Sequence, residues 1–180
     1  MGHRSGWETV VVGVISNSDN RVPGILRSLG LSVRDAQCSS TQDLERGKGS
    51  LIDDLDDSSQ LDFVVLSYDA DAEKPDPRIF ERAEEIAAQL SGRDHVQDFV
   101  RVHVGDDLKK DVVGASNAFW SSVLIDRDGT FAEEMATKKT KVLEKDLVLL
   151  QSPLEERSRR YRVIQDLRHL PLCYEPGLHL

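Results

Sequence analysis

The chain has 180 residues, about the size of one domain, so the length allows a single good core and argues against two full domains. Its 23 Lys and Arg stand against 32 Asp and Glu, a formal net charge of -9, which argues against general binding to nucleic-acid phosphates and against an anionic membrane surface. A hydrophobic content of 39% beside 31% charged residues fits neither a wholly disordered chain nor a membrane one, and the longest apolar run, Val10–Ile15 with Gly13 inside it, is far short of a spanning helix of ~20 residues.

The opening residues Met1 to Trp7 lack the apolar stretch of a secretory signal, and Gly6 stands where a myristoylation pattern needs Ser or Thr. Two cysteines, Cys38 and Cys173, lie far apart and offer neither a disulfide framework nor a four-ligand zinc site, so an intracellular chain is expected, cytoplasmic or nuclear.

In chain order, Thr9–Ile15 is a β-branched run of the kind that forms a strand buried on both faces. The polar stretch Ser16 to Asn20 can cap a helix, Val22, Ile25, Leu26 and Leu29 follow at helical spacing, and Gly30 is placed to stop it. Residues 32–60, rich in Ser, Asp, Gln and Gly and crowded at Asp53, Asp54, Asp56 and Asp57, read as an acidic surface insertion, because blocks of like charge stay solvated. Asp62–Ser67 predicts a second strand. Asp76 and Pro77 then read as N-cap and first helical residue of an amphipathic helix carrying Ile79, Phe80, Ala83, Ile86, Ala87 and Leu90.

Phe99–Val104 predicts a third strand, Gly105 to Asp107 a turn, Leu108, Val112, Val113 and Ala115 a third helix, and Ser122–Asp126 a fourth strand. Residues 130–162 read as a charged irregular region, and Val163–Leu170 as a last strand or short helix closed by Pro171. Strands alternating with helices predict an α/β fold with a parallel sheet and helices on both faces.

In such a sheet, ligands gather outside the carboxyl ends of the strands. Ser16 and Asn17 follow the first strand, Lys74 lies in the loop after the second, and Asp106, Asp107 and Asp111 follow the third. A hydroxyl, an ammonium and a carboxylate cluster suit phosphoryl transfer with magnesium: the hydroxyl and backbone N–H groups hold phosphoryl oxygens, the lysine balances charge, and the carboxylates hold Mg²⁺. Taken singly, the same residues serve as helix caps or solvated surface charges; their order at the ends of successive strands is what points to chemistry. No G-x-G-x-x-G or G-x-x-x-x-G-K-[ST] loop cradles a nucleotide, and a receiver-like domain would carry its acidic pair early and its lysine late, the reverse of this order.

The segments Val14-Ile15-Ser16-Asn17-Ser18-Asp19, Glu73-Lys74-Pro75-Asp76-Pro77-Arg78-Ile79-Phe80 and His103-Val104-Gly105-Asp106-Asp107-Leu108-Lys109-Lys110-Asp111 resemble the second, third and fourth motifs of haloacid dehalogenase-like (HAD) hydrolases, with Gly114 and Ala115 completing the last. The likeness runs from about Trp7 to the Val163–Leu167 tail. It implies a Rossmann-like parallel sheet, with 1–180 as a single partial HAD-like core domain whose first strand and cap are missing. It implies that Ser16, with Asn17 beside it, binds the phosphoryl group, that Lys74 neutralises nucleophile and phosphoryl charge, and that Asp106 with Asp107 or Asp111 holds Mg²⁺.

The implied activity is magnesium-dependent cleavage of a small phosphorylated substrate through an aspartyl phosphate, with no nucleic acid and no membrane as partner; a protein partner is left open. The family's nucleophile belongs to a D-x-D-x-T segment on a strand upstream of Ser16, and residues 1–15 are taken up by the strand that carries Ser16, so this chain alone is expected to be inactive or weak. Asp126-Arg127-Asp128-Gly129-Thr130 satisfies D-x-D-G-T literally but reads as a surface turn at the sheet edge. The alternative function is a non-enzymatic HAD-derived binding or scaffold protein, with the acidic 32–60 segment and the basic Lys138–Arg162 region as contact surfaces.

Overall fold

A computed structural model describes residues 10–34, 60–92, 100–152 and 155–174, with the backbone alone described at 149–152, 155–157 and 174. Most of the expected acidic insertion, at 35–59, and Cys38 lie outside the described residues. The chain, expected as one core domain, divides into two compact units, Met1–Phe99 and Val100–Leu180, because its strands form two separate sheets. No described helix is long and apolar enough to cross a membrane.

In the first unit β1 (Gly13–Ser16) pairs in parallel with β2 (Phe63–Leu66), Gly13 opposite Phe63 and Ser16 opposite Leu66. The first strand is shorter than its β-branched run: Val10 and Val12 are 47% and 45% exposed rather than buried on both faces. Ahead of the regular pairing, the Val12 N–H donates to the Asp62 carboxylate at 2.7 Å and the Asp62 N–H to the Val12 carbonyl at 2.7 Å. At Gly13 a Cβ would sit 2.2 Å from the buried Phe63 ring, so only glycine fits there.

Helix α1 (Val22–Ser28) ends near Gly30, whose φ of 79° suits a glycine stop. It buries no residue, and Ile25 and Leu29 on its predicted apolar stripe are exposed. After the short α2 (Ser67–Ala70), α3 (Arg78–Ser91) packs Ile79, Phe80, Ala83 and Ile86 into the core against β2. These residues recur at the helical interval, so burial of one stripe stabilises the helix. It starts one residue later than expected, with Pro77 in the capping place and Asp76 accepting the Arg78 N–H at 3.0 Å.

The second unit holds a four-stranded sheet in the order β3 (Val102–Gly105), β4 (Ser121–Ile125), β6 (Glu155–Ile164), β5 (Leu143–Ser152). β3, β4 and β6 run parallel, and β5 returns antiparallel along β6. A π-helical turn (Leu108–Val113) and the short α4 (Gly114–Asn117) follow β3, and α5 (Ala132–Lys138) follows β4. The 130–162 region is therefore regular, a helix and a hairpin, rather than irregular. Cross-strand pairs of Glu144 with Arg160 and Arg162, at 3.6 and 3.5 Å, show how charged residues are accommodated on strands there. The turn at 126–130 follows β4, an interior strand, not an edge.

Alternation along β4 and β6 splits the core over the two sheet faces. Leu124 and Val163 join Val112, Met135, Leu143 and Tyr161 on one; Val123 and Ile164 join Cys173 on the other. The second face is closed by a 3-10 helix (Leu167–Tyr174), which contains Pro171 rather than ending at it. Burial raises the Cys173 thiol pKa and so lowers its thiolate fraction near neutral pH. A Cys38→Ser chain is accordingly expected to react slowly at Cys173 with an aromatic disulfide reagent, then fully once denaturant is added; immediate native reaction would contradict the packing.

Candidate functional site

In the first unit the chain turns sharply after β1, and the Asn17 side chain joins that turn to the loop before α3. Its amide donates to the Lys74 carbonyl at 2.9 Å and accepts from the Lys74 N–H at 2.7 Å, as a neighbouring strand would. The Lys74 ammonium donates to the Ile15 carbonyl at 3.0 Å, which draws it to the carboxyl end of β1. The Lys74–Pro75 peptide is cis. Ser16, Asn17 and Lys74 are thus brought to one strand end, as their order predicts.

An open cleft of about 690 Å³ adjoins Asn17, with Asp19, Arg21, Tyr68, Asp76 and Arg78 among its walls. Four of its charges form pairs, Arg21 with Asp19 and Arg78 with Asp76, each at 2.8 Å, and Asp71 and Glu73 also line it. Hydrogen bonds from these guanidinium groups hold both carboxyls below the usual carboxylate range.

In the second unit the three acidic candidates share the turn between β3 and the π-helix, but they are not equivalent. Asp111 is buried, 4% exposed, with Oδ1 2.9 Å from His103 Nε2 and Oδ2 accepting the Asp107 N–H at 2.9 Å. Gly105 admits this carboxylate, since a Cβ there would lie 2.2 Å from Asp111 Cγ. Asp107 caps the π-helix, its Oδ1 accepting from the N–H groups of Lys109 and Lys110 at 2.9 and 2.8 Å. Asp106 is half-exposed and faces Arg127 across 3.2 Å.

A buried carboxylate so engaged is an anchor for the turn, whereas Asp106 and Asp107 are half-exposed, with the Lys110 ammonium 4.0 Å from Asp107 Oδ2. Among the described residues no group of three or more His, Cys, Asp and Glu side chains is arranged to hold a metal ion. The donors do fit Mg²⁺, which takes one or two carboxylates and keeps several waters, better than a cation that needs a protein cage. His103 was not singled out from the sequence; its signal is its place between Val102 and Val104, facing inward on a strand.

Asp126 of the D-x-D-G-T stretch is buried, and its two oxygens accept the N–H groups of Thr130 and Phe131 at 2.8 and 3.0 Å. It holds the turn that leads into α5.

A HAD-hydrolase-like family model matches residues 72–149. An uncharacterized hydrolase of Schizosaccharomyces pombe is 31% identical over 128 residues, 71% of this chain and 44% of that protein. The haloacid dehalogenase-like hydrolase domain-containing protein 3 of Homo sapiens is 32% identical over 114 residues, 63% of this chain and 32% of that protein. Among solved structures, a HAD phosphatase from Thermococcus onnurineus aligns over 91% of this chain and 49% of its own at 20% identity, with a TM-score of 0.49. The chain thus spans less than half the length of each of these relatives.

Two substitutions test the anchors. Asn17→Ala removes both partners of the Lys74 backbone and is expected to lower stability by about 1–3 kcal/mol in urea unfolding. Gly105→Ala, which drives a Cβ into Asp111, is expected to cost about as much or more through loss of the buried contact, read in the same unfolding curves.

Proposed function

The chain belongs to the haloacid dehalogenase-like hydrolases, and we propose that within them it derives from the magnesium-dependent phosphomonoester phosphatases that work through an aspartyl phosphate. The observation that carries this reading is the seating of Lys74. Its ammonium is held at the end of β1 beside Ser16 by a contact to the Ile15 carbonyl at 3.0 Å, and its backbone is fixed by Asn17 at 2.7 and 2.9 Å. An ammonium carries three donors, so it can meet a phosphoryl oxygen while keeping a carbonyl contact.

In this reading the Ser16 hydroxyl, with Asn17 beside it, orients the phosphoryl group, and Lys74 offsets its negative charge. Asp106 and Asp107 would hold Mg²⁺, while Asp111 fixes the turn that presents them. A bound Mg²⁺ would neutralise negative charge on the oxygens it meets. Asp126 has no part in attack on phosphorus, since both of its oxygens are bound to the turn it holds. No described strand upstream of Ser16 presents a carboxylate, so covalent attack is assigned to none of the described residues.

The test is hydrolysis of p-nitrophenyl phosphate, with and without Mg²⁺, by the 180-residue chain and its Asp106→Asn and Asp126→Asn variants. Turnover close to the buffer blank is expected for all three. Robust Mg²⁺-dependent turnover abolished by Asp126→Asn would overturn the assignment of Asp126 as a turn anchor. In a longer natural form that carries a D-x-D-x-T strand, Asp106→Asn is expected to reduce turnover by roughly 10²-fold or more with a raised Mg²⁺ requirement. Unchanged activity and metal dependence there would sink the magnesium role.

A further inference from the structure

The ribbon of β5 and β6 has two long sides, and they are not alike. β5 stands at one end of the strand order, so its outer side meets no strand among the described residues. β6 is flanked by β4 only from Arg162 to Ile164, which leaves its own side without a described strand from Glu155 to Tyr161. At the other end of the sheet, β3 is only four residues long.

A bare strand side offers backbone N–H and C=O groups to any passing strand, and folded chains guard such sides with charge, brevity or irregularity. Shortness guards β3. Charge guards β6, which carries Glu155, Glu156, Arg157, Arg159 and Arg160 on its free stretch. The inner half of β5 has Glu144, Lys145 and Asp146, whereas Leu147-Val148-Leu149-Leu150-Gln151-Ser152 carries neither charge nor proline. At the start of that stretch Leu147 packs against the core, and Val148, on the opposite face, is 53% exposed. A ribbon whose outer half lacks a third strand is marginal in water, so a strand added there stabilises it.

We propose that the outer half of β5 pairs antiparallel with β5 of a second copy of this chain, joining two four-stranded sheets into one around a two-fold axis at Val148. A second copy fits because an antiparallel strand side is complementary to itself: half a turn sets each outward N–H against an outward C=O. Charge and irregularity select the axis. Centred on Lys145 or Asp146, the pairing would bring like charges face to face, which destabilises a ladder. Centred on Leu150 or beyond, it would meet the register shift between Leu150 and Ser152. Val148 is the middle of the three residues that remain. With Val148 on the axis, Leu147 falls opposite Leu149 of the second copy, and Glu144, Lys145 and Asp146 fall opposite its Ser152, Gln151 and Leu150, so no like charges meet. Strand pairing alone buries less surface than a permanent interface, and the dimer is therefore weak and reversible.

The test is sedimentation equilibrium of the 180-residue chain from micromolar to submillimolar concentration, with near-ultraviolet circular dichroism to establish that each variant is folded. The wild-type chain is expected to pass from monomer to dimer. Val148→Lys and Val148→Glu, changes at an exposed position, are each expected to weaken association by roughly tenfold or more, because the new charge meets its own counterpart across the axis. Mixed in equal amounts, the two variants are expected to associate more tightly than either alone, since the axis then sets Lys against Glu. Leu29→Lys, on the exposed stripe of α1, is expected to leave association unchanged. A chain that stays monomeric throughout, association untouched by either Val148 variant, a mixture no tighter than its components, or a dimer lost in Leu29→Lys would overturn the proposal. None of these readings involves turnover, so they are independent of the hydrolase assay.

Discussion

A carboxylate inside a protein must have its oxygens met or give up its charge, and the course of the chain after β3 follows from how Asp111 meets that demand. His103 approaches one oxygen from the strand, and the Asp107 N–H satisfies the other from the turn, both at 2.9 Å. The only way to bring the two partners together is to fold the turn over the carboxylate, which requires Gly105 to have no side chain. The widened π-helical turn from Leu108 to Val113 is where the backbone absorbs this constraint while keeping Val112 in the core. Asp106 and Asp107 then face solvent as a by-product of satisfying a buried neighbour.

The first unit solves a related problem with a neutral group. The loop before α3 cannot join the sheet, yet the Lys74 N–H and carbonyl need partners. Asn17 supplies both from one side-chain amide, a local substitute for a strand. In each unit a polar side chain that would be read as chemistry in isolation is also the means by which the chain is shaped. Asp126, with two backbone N–H groups bound to its carboxylate, is the case in which shape is the whole of the role.

Much of this was legible in the sequence, in unequal measure. Continuous β-branched runs marked β1, β2 and β4, and the apolar stripe from Ile79 to Ile86 marked α3, because burial on a sheet dictates those patterns. The end of β1, the Lys74 loop and the turn after β3 were placed correctly since strand ends are punctuated by small polar residues. Which of Asp106, Asp107 and Asp111 is buried was not legible: spacing is the same for an exposed carboxylate and an anchor, and only burial against His103 separates them. The hairpin of β5 and β6 was missed because its order arises from pairing across the chain, while charged residues mask any alternation. The exposure of Ile25 and Leu29 shows the converse, a helical period with no described core beneath it.

That hairpin carries one more consequence. Its two strands run ten residues each, but β6 is flanked by β4 only at Arg162, Val163 and Ile164. Arg159 still rests over the Phe119 ring at 4.8 Å, and beyond it the rungs from Val148–Ser158 to Ser152–Glu155 have, among the described residues, a partner on one side alone. A two-stranded ribbon is marginal in water without a third strand or a packed face. Amide protons of the described rungs therefore form a graded clock, slowing from Val148–Ser158 inward until Tyr161 enters the core.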